Sequence, residues 1–112
     1  MQVTVVSRSG GSVALKEIDL TGISAVTFTA VAPTQYQAKG GKIEVHLDSP
    51  TGALLGESEM IQPAANGAPV QLRTVLKPTS GMHDVYLVFK NADVTSDQFL
   101  FGVLTATFES VR

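Results

Sequence analysis

The sequence predicts an all-β domain, an antiparallel sandwich or barrel of about eight strands. Three observations lead there. Gly40–Gly52 reads GGKIEVHLDSPTG, in which Ile43, Val45 and Leu47 alternate with Glu44, His46 and Asp48. A period of two is the mark of a strand with one buried and one wet face. Turn-forming residues then recur about every 8 to 14 residues along the chain, the spacing of an all-β fold. No amphipathic run with the 3.6-residue helical period occurs anywhere.

Taken in order, Gln2–Arg8 is rich in β-branched residues and reads as a strand. Ser9-Gly10-Gly11-Ser12 reads as a tight hairpin, since glycines tolerate the positive φ of a two-residue turn. Ser12–Ile18 is the returning strand, with Val13 and Leu15 on one face, and Asp19–Gly22 is a loop. Ile23–Ala32 is long and mostly apolar, which suits a central strand. Pro33–Gly41 is a polar loop that carries Tyr36 between Gln35 and Gln37. The strand within Gly40–Gly52 ends at Ser49-Pro50-Thr51-Gly52, whose proline and glycine suit the second and fourth positions of a type I turn.

Leu54–Ile61 returns from that turn. Gln62–Pro69 holds two prolines, an asparagine and a glycine and is a loop. Val70–Leu76 is β-rich, and Lys77–Gly81 is a turn. In Met82–Lys90, Val85, Leu87 and Phe89 face one way and Tyr86 and Val88 the other, so both faces are apolar and the strand is interior to its sheet. Asn91–Asp97 is a polar loop and Gln98–Ser110 the last long strand. No internal repeat or domain boundary is visible, and residues 1–112 read as one domain.

The 112 residues suffice for one domain with a real core. Charged residues make up 16%, well below the roughly 25% of an average soluble chain. With a positive mean hydropathy, this implies either a large core or apolar surface that something else covers. A net charge of −2 with scattered Lys and Arg argues against a nucleic-acid partner and against a polybasic membrane site. No stretch reaches the roughly 18 consecutive apolar residues of a membrane span. The absence of cysteine excludes disulfides and thiolate metal sites. Met1-Gln2-Val3 has neither the basic start nor the apolar run of a signal peptide, so if the protein is exported its signal is expected upstream.

His46, Asp48 and Ser49 include the residue types of a hydrolytic triad, but neighbours on one strand cannot set nucleophile, base and oxyanion hole in mutual geometry. They read as a solvated strand face with a turn-capping Asp48. His83-Asp84 has the residue types of a metal or acid–base pair, but two histidines in the whole chain are too few for a typical zinc site. Asn91, Asp93 and Asp97 read as a solvated loop. Tyr36 is different. An exposed aromatic ring between amides can stack on the C–H face of a sugar while the amides take hydroxyls. The alternative is a tyrosine lying over the end of the sandwich.

Three segments, GGSVALKEIDLTGISAVTFTA, GGKIEVHLDSPTGALLG and SGMHDVYLVFKN, in this order, resemble the core of a family 6 carbohydrate-binding module over roughly residues 11–108. Lys42–Gly56 and Gly81–Lys90 carry the most specific part of the resemblance. It implies a jelly-roll β-sandwich, non-catalytic, attached to a secreted or periplasmic bacterial enzyme. Asn66 and Gln98 lie near segments where the family places groups that contact the ligand. With Gln35, Tyr36 and Gln37 they are the candidate ligand-binding residues.

The chain departs from the family in three ways. The family's longer N-terminal stretch, with its acidic or amide calcium ligands, is reduced. Leu100–Phe108 lacks the family's aspartate–tryptophan pair. The tryptophan of the family's sugar clamp, expected within Asn66–Gln71, is absent, as is the partner tyrosine in or before Gln2–Arg8. Calcium needs about six or more oxygen ligands, so no metal cofactor is expected. The leading expectation is an accessory module that binds polysaccharide weakly if at all. The alternative is a structural or protein-interaction domain that has lost sugar binding and packs on a neighbouring domain, or on itself through an open sheet edge.

Overall fold

A computed structural model describes residues 2–8, 11–65, 67–91 and 99–110. The strands are β1 (Gln2–Arg8), β2 (Ser12–Asp19), β3 (Ile23–Val31), β4 (Lys42–Leu47), β5 (Leu54–Glu57), β6 (Val70–Val75), β7 (Met82–Lys90) and β8 (Phe99–Ser110). They form two antiparallel four-stranded sheets in the orders β1-β8-β3-β6 and β2-β7-β4-β5. Successive strands up to β4, and again from β5 on, alternate between the sheets, which is the jelly-roll arrangement. β3 and β7 are interior to their sheets, as their apolar sequences require.

The period-two pattern becomes a core. Val26, Phe28 and Ala30 of β3 are buried, while Thr27 and Thr29 between them are half-buried. From the facing sheet come Ile43 and Val45 of β4 and Val85, Leu87 and Phe89 of β7, in the same apolar cluster. Phe89 meets Phe101 of β8 edge to face, with centroids 5.7 Å apart and planes at 84°. That aromatic pair ties the two sheets together.

Three expectations change. Ser9–Ser12 does not close a hairpin: β1 pairs with β8 in one sheet and β2 with β7 in the other. In a jelly roll these neighbours in sequence lie on opposite layers, so the connection crosses between sheets. Ser9 and Gly10 lie outside the described residues. The strand expected over Leu54–Ile61 ends at Glu57, with an isolated bridge from Ile61 to Gly41. The Ser58 hydroxyl replaces a ladder bond by accepting the Ile43 N–H at 2.9 Å, which releases exposed Glu59 and Met60 from the sheet.

The turn at Ser49–Gly52 forms as expected, with the Gly52 N–H donating to the Ser49 carbonyl at 3.0 Å. Asp48 does not share the face of His46, because its φ of +67° turns it away. Its carboxylate accepts from His83 Nδ1 at 3.2 Å instead of capping the turn. Among the described residues no helix is long and apolar enough to cross a membrane.

Candidate functional site

The strand directions gather the β1–β2, β3–β4, β5–β6 and β7–β8 connections at one end of the sandwich. Tyr36 lies in the second of these. Thr34–Tyr36 form a single 3-10 turn, entered through extended Pro33 and left through Gln37 at φ +62°. The Tyr36 N–H and Ala38 N–H both donate to the Pro33 carbonyl, at 3.2 and 3.3 Å, and Gln37 N–H donates to Thr34 at 2.9 Å. The fixed φ of proline and the buried Ala38 anchor the turn, while Gln35, Tyr36 and Gln37 stay exposed. Tyr36 keeps 66% of its surface in solvent, and neither its hydroxyl nor the two amides engages another described side chain.

The loop is held on three sides. Thr34 N–H donates to Ala64, and Ala64 N–H to Ala32, at 3.2 and 2.8 Å, which joins it to the β5–β6 connection. Lys39 and Gly40 N–H groups donate to the Phe99 and Leu100 carbonyls, at 3.1 and 2.8 Å. The Asn91 side-chain amide donates to the carbonyls of Gly40 and Lys39 at 3.1 and 3.4 Å. Gly40 sits at φ +77°, and a Cβ there would collide with the Ile61 carbonyl. The turn is therefore presented by a pinned frame, and an exposed ring on such a frame loses little further freedom when it binds.

Of the five candidate residues, Gln35, Tyr36 and Gln37 come together on this turn. Asn66 and Gln98 lie outside the described residues, as do Asp93 and Asp97 of the loop after β7. Their flanks are placed: Ala64 bonds to Thr34, and Phe99 to Lys39. Sequence reasoning missed Asn91 as the residue that clamps the loop, since nothing in an isolated asparagine after a strand reveals the carbonyls it will meet.

The other polar groups are mutually engaged. On the outer face of the β2-β7-β4-β5 sheet, Lys16 donates to Asp84 at 3.2 Å and to the Tyr86 hydroxyl at 3.4 Å, and stands 5.6 Å from the centre of the Tyr86 ring. Its hydrogen bond to the Asp84 carboxylate, more than the one to Tyr86, holds the Lys16 pKa above its ordinary value. His46 is bracketed by Glu44 and the Gly52 carbonyl, each at 2.9 Å. At the end opposite Tyr36, His83 spans Asp48 and the Ser80 carbonyl at 3.2 and 3.0 Å, beside a shallow hollow of about 240 Å³ lined by Glu17, Asp48, Met82, His83 and Asp84. Among the described residues no three His, Asp or Glu side chains gather as ligands for a metal ion.

The two sheets and their strand order define a jelly-roll β-sandwich of the binding-module type. Residues 2–102 match the family described as carbohydrate binding module (family 6), and the chain belongs to that family, whose members are non-catalytic binding modules. It is 35% identical over 84 residues to an arabinoxylan arabinofuranohydrolase of Paenibacillus polymyxa, covering 73% of this chain and 12% of that protein. It is 31% identical over 95 residues to endo-1,4-beta-xylanase A of Thermoclostridium stercorarium, covering 85% and 18%. The chain thus spans less than a fifth of these curated relatives.

Among solved structures, the glycoside hydrolase family 43 arabinoxylan arabinofuranohydrolase of Bacillus subtilis, in complex with cellotetraose, superimposes with a TM-score of 0.75 at 30% identity, over 97% of this chain and 21% of that one. A family 6 module from Clostridium cellulolyticum in complex with xylose gives 0.75 at 25% identity, over 97% and 87%.

Proposed function

We propose that this chain is a carbohydrate-binding accessory module of an exported bacterial enzyme acting on plant-type polysaccharide. Its glycan site is the turn that carries Tyr36, with Gln35 and Gln37 beside the ring and Asn66 and Gln98 contributing from the neighbouring connections. The observation that carries this reading is the exposure of Tyr36 and its two flanking amides on a loop pinned from three sides. The relatives named for arabinoxylan and 1,4-β-xylan set the first polymers to try. With one aromatic ring in place of a two-ring clamp, affinity is weak, because a single stacked face gives up about half of the apolar contact.

Titration with xylan, β-glucan and cello-oligosaccharides tests the reading. Binding to at least one is expected, and no binding to any by verifiably folded protein overturns it. The module works without a structural calcium ion, so EDTA is expected to leave both binding and the unfolding midpoint unchanged.

A second reading, a sandwich that serves as a packing surface for a neighbouring domain or a second copy, is favoured by one feature. Val75 at the β6 edge is 67% exposed beside a largely apolar hollow of about 460 Å³ that Ile23, Leu76 and Pro78 also line. Sedimentation showing a strict monomer at high concentration counts against the self-associating form.

A further inference from the structure

We infer that Asn91 is a positioning residue for the Tyr36 platform: its side-chain amide acts on glycan binding through the loop that carries the ring. This rests on the carbohydrate-binding reading above and adds a residue to its machinery. The observation behind it is how residues 39–41, which follow the Tyr36 turn, are held. The Lys39 and Gly40 N–H groups donate to Phe99 and Leu100, and Gly41 exchanges bonds with Ile61 at 3.0 and 2.6 Å. Those partners are all main chain, so they survive a change of side chain. The Lys39 and Gly40 carbonyls have a side chain instead, and both accept from Asn91 Nδ2, at 3.4 and 3.1 Å.

Two glycines bring the amide and its acceptors together. A Cβ on Gly41 would stand 2.5 Å from the Lys90 carbonyl, so the end of β7 packs directly on this stretch of backbone. Gly40, at φ +77°, takes the left-handed conformation open to glycine, and its carbonyl and that of Lys39 converge on one amide nitrogen. The chain on the other side of Lys39 is the turn itself, with buried Ala38 bonded to Pro33.

The chemistry at position 91 is one-sided. A carboxamide nitrogen supplies two donors, and carbonyl oxygens can only accept. Aspartate has the same shape but would set a carboxylate oxygen against two carbonyl oxygens. A loop freed from the clamp spreads Tyr36 over several orientations, and affinity falls with the fraction that can bind. One net hydrogen bond corresponds to about five-fold in such an equilibrium.

The test measures binding of Asn91→Ala and Asn91→Asp to xylan and β-glucan by affinity electrophoresis, each in wild-type and Tyr36→Ala backgrounds, with unfolding midpoints recorded. With the tyrosine present, Asn91→Ala is expected to weaken binding about five-fold and Asn91→Asp more, the reverse of the order that lost side-chain volume would give. With Tyr36 removed, neither substitution weakens binding further, because both act through the ring. In the free variants, amide exchange quickens at Tyr36, Gln37 and Ala38 and stays unchanged at Val85 and Leu87. Wild-type affinity in both folded variants, or the same loss with and without the Tyr36 ring, overturns the positioning role and leaves the module reading intact. Binding to neither polymer by folded wild-type protein overturns both. Asn91→Ala adds no repulsion and carries the test if Asn91→Asp does not fold.

Discussion

The Asp84 carboxylate accepts the backbone N–H of Glu17 at 3.1 Å, across the β2–β7 pair. Glu17 occupies the irregularity between Leu15 and Ile18 at φ +55°, a conformation uncommon for a residue with a side chain. The bulge leaves that N–H without a ladder partner, and Asp84 supplies one. This bond, followed by the one from Lys16, holds the Asp84 pKa below its ordinary value of 3.8.

That depression has a sign. A carboxylate with a lowered folded pKa stabilises the fold above its unfolded pKa, and the contribution is lost as pH falls through the folded value. Asp19, held down first by the Thr21 N–H, and Glu109, held down first by the Thr27 hydroxyl, act in the same direction. The unfolding midpoint is expected to fall as pH drops below about 4. Asp84→Asn starts less stable at neutral pH and loses less on acidification. Thermal melts of both proteins at pH 7, 5, 3 and 2 check this, and parallel pH curves would remove Asp84 from the account.

Two glycines with nearly the same φ are expected to differ. Gly22 at +78° has open space where a Cβ would stand, whereas a Cβ on Gly40 at +77° meets the Ile61 carbonyl and the ring of Pro63. Gly22→Ala should cost about 1 kcal/mol, the left-handed penalty alone. Gly40→Ala adds a backbone collision and should cost at least about 2 kcal/mol. It should also loosen the loop that carries Tyr36. Urea unfolding of the two variants measures the difference.

Thr74 of β6 is buried, 2% exposed, and its hydroxyl has no hydrogen-bond partner among the described residues. A buried hydroxyl left unpaired costs about 1–3 kcal/mol relative to a satisfied one, and an apolar group of the same shape avoids that cost. Thr74→Val is therefore expected to leave stability unchanged or raise it by about 1 kcal/mol, read from the denaturation midpoint. A loss of more than about 1 kcal/mol would show that the hydroxyl is satisfied in solution.

Much of the fold was legible because burial imposes a period on sequence. Val26-Thr27-Phe28-Thr29-Ala30 and Ile43-Glu44-Val45-His46 declare which side chains enter the core, and Pro50 and Gly52 declare where the chain turns. The sheet to which each strand belongs was not legible in this way. Ser9–Ser12 has the chemistry of a hairpin, yet β1 and β2 part to opposite sheets. That outcome depends on β8 and β7, strands that come far later in the sequence, and no local rule reports it.

At the site, the exposure of Tyr36 followed from its polar neighbours. The Asn91 clamp and the turning away of Asp48 did not, because each depends on a partner distant in sequence: the Lys39 and Gly40 carbonyls for one, His83 for the other.

The central claim is that Tyr36 is the platform on which a glycan binds. Calorimetric titration of wild-type and Tyr36→Ala protein with xylan and xylo-oligosaccharides, with the unfolding midpoint of each recorded alongside, tests it most directly. Loss of a stacked ring should weaken binding about ten-fold or more while the midpoint stays where it is, since the ring is exposed and supports no core contact. A Tyr36→Ala protein that binds as tightly as wild type would contradict the claim.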